Sequence, residues 1–142
     1  GVQTCALPIY IQQTMADIEN VVIVTGDFHR SFALENNPNA VADTSGNVAI
    51  EFVATSITSA NADEYYDEES VKNQNDTYLN FNPHMKYANS KDHGFVVLHI
   101  SEEQVITEYV YATDIRTPEA DSYVEKTFRV KSGSKILEEV EE

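Results

Sequence analysis

The sequence predicts a single domain of mixed α/β (α+β) structure, and three observations lead to this fold class. Ile11, Met15 and Ile18 recur at the spacing of one helical face. The run Val21–Thr25 that follows is β-branched throughout and lacks polar alternation, which is typical of a strand covered on both faces in a layered α/β domain. Later in the chain, two apolar runs separated by four polar residues indicate a β-hairpin.

Length, charge and hydropathy limit the classes of function. A chain of 142 residues can bury one sizeable core, so a second domain is not expected. With 9 Lys and Arg against 24 Asp and Glu, the net charge is −15, which argues against electrostatic binding of nucleic acid or anionic lipid. No stretch approaches the roughly 20 apolar residues of a membrane helix. The single Cys5 cannot form an internal disulfide.

The first half of the chain alternates between predicted helices and strands. We expect a short amphipathic helix over Tyr10–Glu19 and, directly after it, a central strand at Val21–Thr25. A short helical segment is expected at Ser31–Glu35. The stretch Asn36–Asn47 is rich in Asn, Pro, Asp and Gly and predicts a loop. Alternation of side chains then predicts a strand over Val48–Val53.

The second half is predicted to be mostly β-structure. The polar, acid-rich stretch Asn61–Asn82 is interpreted as either a mobile excursion or a solvated helix. Phe95–Ile100 and Val105–Tyr111 are expected to pair as the hairpin. The alternating segment Val124–Val130 predicts an edge strand, and residues 132–142 predict a solvated acidic tail.

The opening residues are interpreted separately from the domain. Residue 1 is Gly rather than Met, and residues 1–9 resemble translated sequencing-adapter text, so we expect them to be an artefact without function. An ordinary apolar strand that enters the domain is the alternative. On either interpretation Cys5 is not expected to be a nucleophile.

The best place for chemistry is the end of the first predicted strand. Gly26 breaks the strand, and Asp27 and His29 follow at the carboxyl end, where open α/β sheets place their binding crevices. A carboxylate and an imidazole that converge there suit iron, zinc or manganese. A buried His bonded to a neighbouring carboxylate is the structural alternative for such a triplet.

Four short motifs in order resemble one known family. The segment Val21–Phe32 resembles a GDxH motif, and Glu51–Ser59 resembles an EFxxxSIxS stretch. Asn82–Tyr87 resembles an NPHxKY motif, and His93–Phe95 resembles the HGY that follows it. These are motifs of the C-terminal half of the PhoD-like alkaline phosphatases, a branch of the calcineurin-like metallophosphoesterases. Because several motifs match in order and spacing over residues 10–111, the resemblance is more specific than any one of them.

The resemblance implies a fold, a reaction and a site. It implies that residues 10–131 are the C-terminal part of the catalytic domain, a partial four-layer metallophosphoesterase sandwich in which two β-layers are flanked by helices. Its loops would hold iron and calcium, or other divalent metals, that activate water to hydrolyse a phosphate ester. Asp27 and His29 would be metal ligands, and no catalytic residue is assigned within this chain. The resemblance to this family also implies a secreted or periplasmic protein.

Asn82 and His84 are further candidates for this site. They are expected either to contact substrate or to orient a metal ligand from behind, and a structural role in the extended turn is the alternative. Lys86 faces either phosphate or water.

Other polar residues are interpreted mainly as structural. Glu51 is expected to be a paired or solvent-facing strand acid, and His99 a packed or surface residue. His93 has no partner that the sequence reveals. The acidic stretch Asp63–Glu69 lacks the Gly and the spaced Glu of an EF-hand loop, so calcium binding there is a minor alternative.

Three functional hypotheses remain open from the sequence. The first is the C-terminal portion of a phosphatase or phosphodiesterase, the second a noncatalytic acidic β-rich binding module, and the third a homologue that has lost its site. The earlier carboxylate and Asn-His motifs of the family are absent from these residues. We therefore expect the chain alone to bind metal weakly and to lack phosphatase activity.

Overall fold

The computed structural model describes residues 10–38 and 44–141 and contains two four-stranded β-sheets. The first sheet consists of β1 (Val22–Thr25), β2 (Ser31–Asn36), β3 (Ala49–Val53) and β4 (Met85–Asn89). The second consists of β5 (Gly94–Ile100), β6 (Gln104–Ala112), β7 (Ser122–Lys131) and β8 (Glu138–Glu139). Helix α1 covers residues 10–15, and helix α2 covers Glu68–Phe81. None of the helices within the described ranges is long and apolar enough to cross a membrane.

The strand order of the first sheet is β1-β3-β2-β4. Strand β1 pairs in parallel with β3, whereas β2 pairs antiparallel with both β3 and β4. The second sheet is an antiparallel meander in the order β5-β6-β7-β8, and the predicted hairpin forms its first two strands. The mixed α/β class predicted from the sequence is confirmed, as is the partial sandwich.

The core lies between the two sheets and is built largely from aromatic rings. Its members are Ala33, Ile50, Phe52, Tyr87, Tyr109, Tyr111, Phe128 and Val130. The Tyr87 and Tyr109 ring centroids are 4.8 Å apart. Since these rings come from opposite sheets, aromatic packing holds the two layers together.

The buried tyrosine hydroxyls are satisfied within the chain. The hydroxyls of Tyr87 and Tyr111 lie 2.8 Å apart, and Tyr109 donates to the carbonyl of Phe32. Tyr87 also donates to the Glu125 carboxylate at the edge of the core. A buried phenol without such partners would be costly, so the network explains how a core this rich in tyrosine is stable.

Strand β1 differs from the predicted central strand. Among the described strands it pairs with β3 and occupies the edge of its sheet, and Val24 is 53% exposed. The prediction of coverage on both faces is therefore wrong for this chain. The β-branched composition sets the strand conformation, whereas coverage depends on which other segments pack against it.

The segment predicted as a short helix, Ser31–Glu35, is strand β2, and that prediction is also wrong. Ala33, Leu34 and Glu35 are good helix formers, but the segment lies in the middle of the sheet with β3 on one side and β4 on the other. Two ladders of backbone hydrogen bonds and burial of Phe32 outweigh a local propensity of a few tenths of a kcal/mol per residue.

The acid-rich stretch Asn61–Asn82 contains helix α2. Asp67 caps the helix by accepting from the Ser70 amide at 2.8 Å, and Glu68 and Glu69 lie in its first turn. The Ser70 amide lowers the pKa of the Asp67 carboxyl. Acids at these positions favour the helix amino terminus, which accounts for much of the acidic cluster.

Two expectations concern the chain ends. Helix α1 ends near residue 15, earlier than the predicted Glu19, and residues 1–9, including Cys5 and the adapter-like text, lie outside the described residues.

The C-terminal segment is not a solvated tail, because Leu137 packs against the core and β8 pairs with β7. Glu138 accepts hydrogen bonds from Lys131 and Arg129, which lower the pKa of its carboxyl. Strand β7 therefore lies between β6 and β8, so the prediction of an edge strand at Val124–Val130 is wrong.

Glu35 should anchor this C-terminal segment. The carboxylate is 2% exposed, accepts from the Leu137 amide at 2.9 Å and lies 3.4 Å from the Lys86 ammonium. We expect Glu35→Ala to lower the free energy of unfolding by about 2 kcal/mol, because an amide and a cation lose their acceptor. Urea unfolding monitored by circular dichroism measures this change.

Glu35→Gln and Lys72→Ala are the matched variants. The amide of Gln keeps an acceptor for Leu137 N–H, so its loss should be smaller than that of alanine. Lys72 forms an exposed pair with Asp76, so its removal should leave the midpoint unchanged. A Glu35→Ala protein with the wild-type midpoint would contradict the anchoring role.

Candidate functional site

Three loops meet at one end of the first sheet. The register pairs Thr25 with Val53, Phe32 with Val53, and Ser31 with Asn89. Residues 26–30, which follow β1, therefore lie at the same end as residues 54–61 and 90–93, which follow β3 and β4. We call this region the loop end; it contains Asp27 and His29.

The backbone at Asp27 and His29 is unusual. Both residues have positive φ, 72° and 56°, a region that non-glycine residues seldom adopt. Two such residues on either side of Phe28 form a tight turn directly after the strand. Strained backbone conformations of this kind occur preferentially at functional sites, where the surrounding structure holds them in place. Asp27 is exposed, and His29 is half-buried.

The imidazole of His29 has a defined hydrogen bond. Its Nδ1 lies 3.0 Å from the backbone carbonyl of Ala60. A carbonyl oxygen only accepts hydrogen bonds, so Nδ1 carries the proton in the neutral ring and Nε2 carries the lone pair. Metal-ligating histidines are commonly held in this way through their second nitrogen. The donor set of an exposed carboxylate and an oriented imidazole therefore fits two positions of a metal site.

Arg30 stiffens the same turn. Its terminal nitrogens donate to the Phe28 carbonyl at 3.3 Å and to Gln74 Oε1 at 3.4 Å. The guanidinium carbon lies 4.9 Å from the centroid of the Phe28 ring, a cation–π contact. The bond to Gln74 connects the turn to helix α2. The ring of Phe28, which lies between the two candidate ligands in the sequence, is 52% exposed.

Within residues 10–38 and 44–141, no group of three or more His, Cys, Asp or Glu side chains has the arrangement to hold a metal ion. Asp27 and His29 therefore remain two candidate donors, and the described residues do not by themselves complete a metal site.

Asn82 and His84 lie at the opposite end of the sheet from Asp27 and His29. The register pairs Met85 with Leu34, whereas the loop end adjoins Ser31 and Asn89. Asn82 is the C-cap of helix α2 and donates to the Tyr78 carbonyl at 2.9 Å. The structure therefore shows helix capping at Asn82 and does not bring it close to the candidate ligands.

The side chain of His84 is packed beside the same turn. Burial, followed by the charge of Lys86, lowers the pKa of the imidazole, so the ring is neutral at pH 7. The backbone carbonyl of His84 accepts a hydrogen bond from the Glu35 amide at 2.8 Å. These contacts belong to the connection between α2 and β4.

The remaining candidates have structural partners. Glu51 accepts from Thr25 Oγ1 at 2.8 Å and from Asn36 Nδ2 at 2.9 Å, so it is the paired strand acid that the sequence predicted. Lys86 faces buried Glu35. His99 is exposed on β5, with its Nε2 3.0 Å from the Glu108 carboxylate.

Two residues of the loop end were missed from the sequence. His93 is 7% exposed, with its Nε2 3.5 Å from Glu64 Oε1. Asn61 is 2% exposed and bonds within its own loop, to Thr55, and to the loop after β4, at Asp92. Buried amides have no sequence signature of their own. The signal that could have drawn attention to Asn61 is its position two residues after the stretch that resembles EFxxxSIxS.

Comparisons with known proteins agree with this arrangement. A solved structure described as "Structure of PhoD" matches with a TM-score of 0.75 at 24% identity, covering 94% of this chain and 25% of that chain. At this identity the likeness shows the fold. The chain spans about a quarter of the length of that protein. No curated protein matches the sequence.

The family match defines a class of protein, namely phosphatase-type hydrolases. The sequence model of the PhoD-like phosphatases matches residues 9–109. The chain belongs to the PhoD-like phosphatase family. The resemblance recognised in the sequence motifs is confirmed, and with it the assignment to a family of phosphoric ester hydrolases.

Proposed function

We propose that this chain is part of a larger metal-dependent phosphoric ester hydrolase, of the alkaline phosphatase or phosphodiesterase type, and that Asp27 and His29 are two of its metal ligands. The observation that carries the proposal is the turn after β1, where both candidate ligands have positive φ and His29 is oriented by the Ala60 carbonyl. The family match supports the reaction class.

The chain's own residues present donors and position them. Asp27 offers an exposed carboxylate, and His29 offers the lone pair of Nε2 because Nδ1 is engaged. Iron and calcium are the metals proposed from the family, and other divalent metals suit the same donors. When bound, such metals polarise phosphoryl oxygens and lower the pKa of bound water.

The proposal extends to substrate and location. A phosphate ester is the substrate class, and a secreted or periplasmic location is proposed from the family. The net charge of −15 does not oppose an anionic substrate, because bound cations dominate the local field in such sites.

Replacing the ligands in the complete gene product that contains this chain tests the proposal. We expect Asp27→Asn and His29→Ala each to lower hydrolysis of p-nitrophenyl phosphate or bis(p-nitrophenyl) phosphate by more than about a hundredfold. Removal of a mere supporting residue in a metal site costs about 10- to 100-fold, and removal of a ligand should cost more. Metal content of the purified proteins should fall in parallel.

His99→Ala and Asp76→Asn are the matched controls. His99 is exposed on the second sheet and Asp76 is paired with Lys72 on helix α2, so both should keep wild-type activity and metal content. The 142-residue chain alone should show no turnover. Turnover by that chain above a metal-free control, abolished by Asp27→Ala, would contradict this expectation, and full activity of His29→Ala in the complete protein would overturn the ligand assignment.

A further inference from the structure

We propose that Asn61 is a positioning residue that fixes the tautomer and ring orientation of His29 through the carbonyl of Ala60. The tautomer is a property of the chain itself. Its consequence for metal binding rests on the function proposed above. Asn61 does not contact the metal or the substrate in this proposal; it acts through the loop that accepts the hydrogen bond of the imidazole.

The Asn61 side chain fixes the loop after β3 through several hydrogen bonds. Its amide nitrogen lies 3.0 Å from Thr55 Oγ1, 3.0 Å from the Asp92 carbonyl and 3.2 Å from the Lys91 carbonyl. Its Oδ1 accepts from Ser56 Oγ at 3.1 Å. With 2% of its surface exposed, the side chain is a buried connection between the loop after β3 and the loop after β4.

Asn61 directly follows Ala60 in the chain, so bonds that hold Asn61 also hold the Ala60 carbonyl. The Asn61 side chain and the amide of Ala62, which donates to the Ser90 carbonyl at 3.0 Å, hold the chain directly after Ala60. On the other side, the single hydroxyl hydrogen of Ser56 is shared between the Ser59 carbonyl and Asn61 Oδ1. The Ala60 carbonyl therefore points in a direction set by these bonds, and loss of the Asn61 amide removes the connection to the second loop.

The tautomer of His29 depends on the Ala60 carbonyl. A neutral imidazole has two tautomers, and the hydrogen bond made by one nitrogen selects which nitrogen retains the lone pair. Here the bond at Nδ1 selects Nε2 as the donor for a metal. Among the described residues, Ala60 supplies the hydrogen bond that the His29 ring makes, so movement of Ala60 would release the ring from this orientation.

The tautomer is measurable in the metal-free chain. Long-range ¹H–¹⁵N correlation spectra of histidine-labelled protein at about pH 8.5, where an ordinary imidazole is neutral, distinguish the two ring nitrogens. We expect wild-type His29 to be protonated at Nδ1, and Asn61→Ala to give a mixture of both tautomers. Wild-type protein protonated at Nε2 would overturn the proposal without any variant.

Asn47→Ala is the matched control. Asn47 is also buried, at 7% exposure, and donates to the Lys135 carbonyl at 2.8 Å, far from the loop end along β3. It removes a comparable buried amide, so it should lower stability and leave the tautomer of His29 unchanged. If Asn61→Ala fails to fold, Asn61→Asp is used, which keeps the shape and the Oδ1 acceptor but lacks the amide donors. A folded Asn61 variant with the wild-type tautomer would overturn the proposal.

Calorimetric titration of the complete gene product with Mn²⁺ separates this proposal from the proposed function. If both hold, Asn61→Ala should weaken Mn²⁺ binding by about 10- to 100-fold relative to Asn47→Ala. If wild-type protein binds no Mn²⁺ while the tautomer still depends on Asn61, the metal function is overturned and the positioning role is supported. If Mn²⁺ binds equally well to wild type and Asn61→Ala, the positioning role is overturned.

Discussion

Gly94→Ala should destabilise the chain more than alanine at any other described glycine. A Cβ at this position would lie 2.0 Å from the Val110 carbonyl oxygen and 2.9 Å from the Tyr111 Cα, and both are backbone atoms of the paired strand. Neither can withdraw without breaking the ladder between β5 and β6. We expect a loss of about 3 kcal/mol or more in the free energy of unfolding, the upper part of the range for overpacking.

The measurement is urea unfolding followed by tyrosine fluorescence and circular dichroism. Gly26→Ala is the matched control, because its Cβ would meet its nearest neighbour, the Ala54 carbonyl, at an ordinary 3.8 Å. That variant should unfold close to the wild-type midpoint. A Gly94→Ala protein that unfolds with Gly26→Ala would show that β5 and β6 are not packed as closely as the structure places them.

Strands with simple periodicity could be predicted from the sequence. The hairpin of β5 and β6 is predicted within a residue or two, because two apolar runs of strand length are joined by four polar residues. Strand β2 was not, because its residues favour helix locally and its conformation is determined by pairing with β3 and β4. Such pairing joins residues far apart in the sequence, which local propensity does not describe.

The candidate site could be predicted in part. Asp27 and His29 follow a β-branched run and a glycine, so their place at a strand end was apparent from the sequence. The Ala60 carbonyl and Asn61 could not be found in this way. The bond from His29 to the Ala60 carbonyl spans 31 residues, and Asn61 is held by bonds to the distant Lys91 and Asp92 carbonyls. Asn82 and His84 were linked to the site by a motif, and the antiparallel register of β4 separates them from it.

High pH should unfold the chain because of three core tyrosines. Burial is the main cause that raises the pKa of Tyr87, Tyr109 and Tyr111 well above the ordinary value of 10. The folded state therefore keeps these phenols protonated when the unfolded state has begun to ionise. Their stabilising contribution is complete below the unfolded pKa of about 10 and is lost progressively as the pH rises towards the folded values.

We expect a loss of about 4 kcal/mol at pH 11 relative to pH 9, since each tyrosine that ionises only on unfolding contributes about 1.4 kcal/mol per pH unit above 10. Urea midpoints across this range, with absorbance at 295 nm to count phenolates, measure it. Tyr87→Phe should reduce the loss by about a third, because one such group is removed. Tyr65→Phe, at a side chain 73% exposed, should leave the pH dependence as it is. Phenolate absorbance from the core tyrosines at pH 11 in protein that remains folded would contradict this prediction. It would show that these buried phenols ionise without unfolding of the chain.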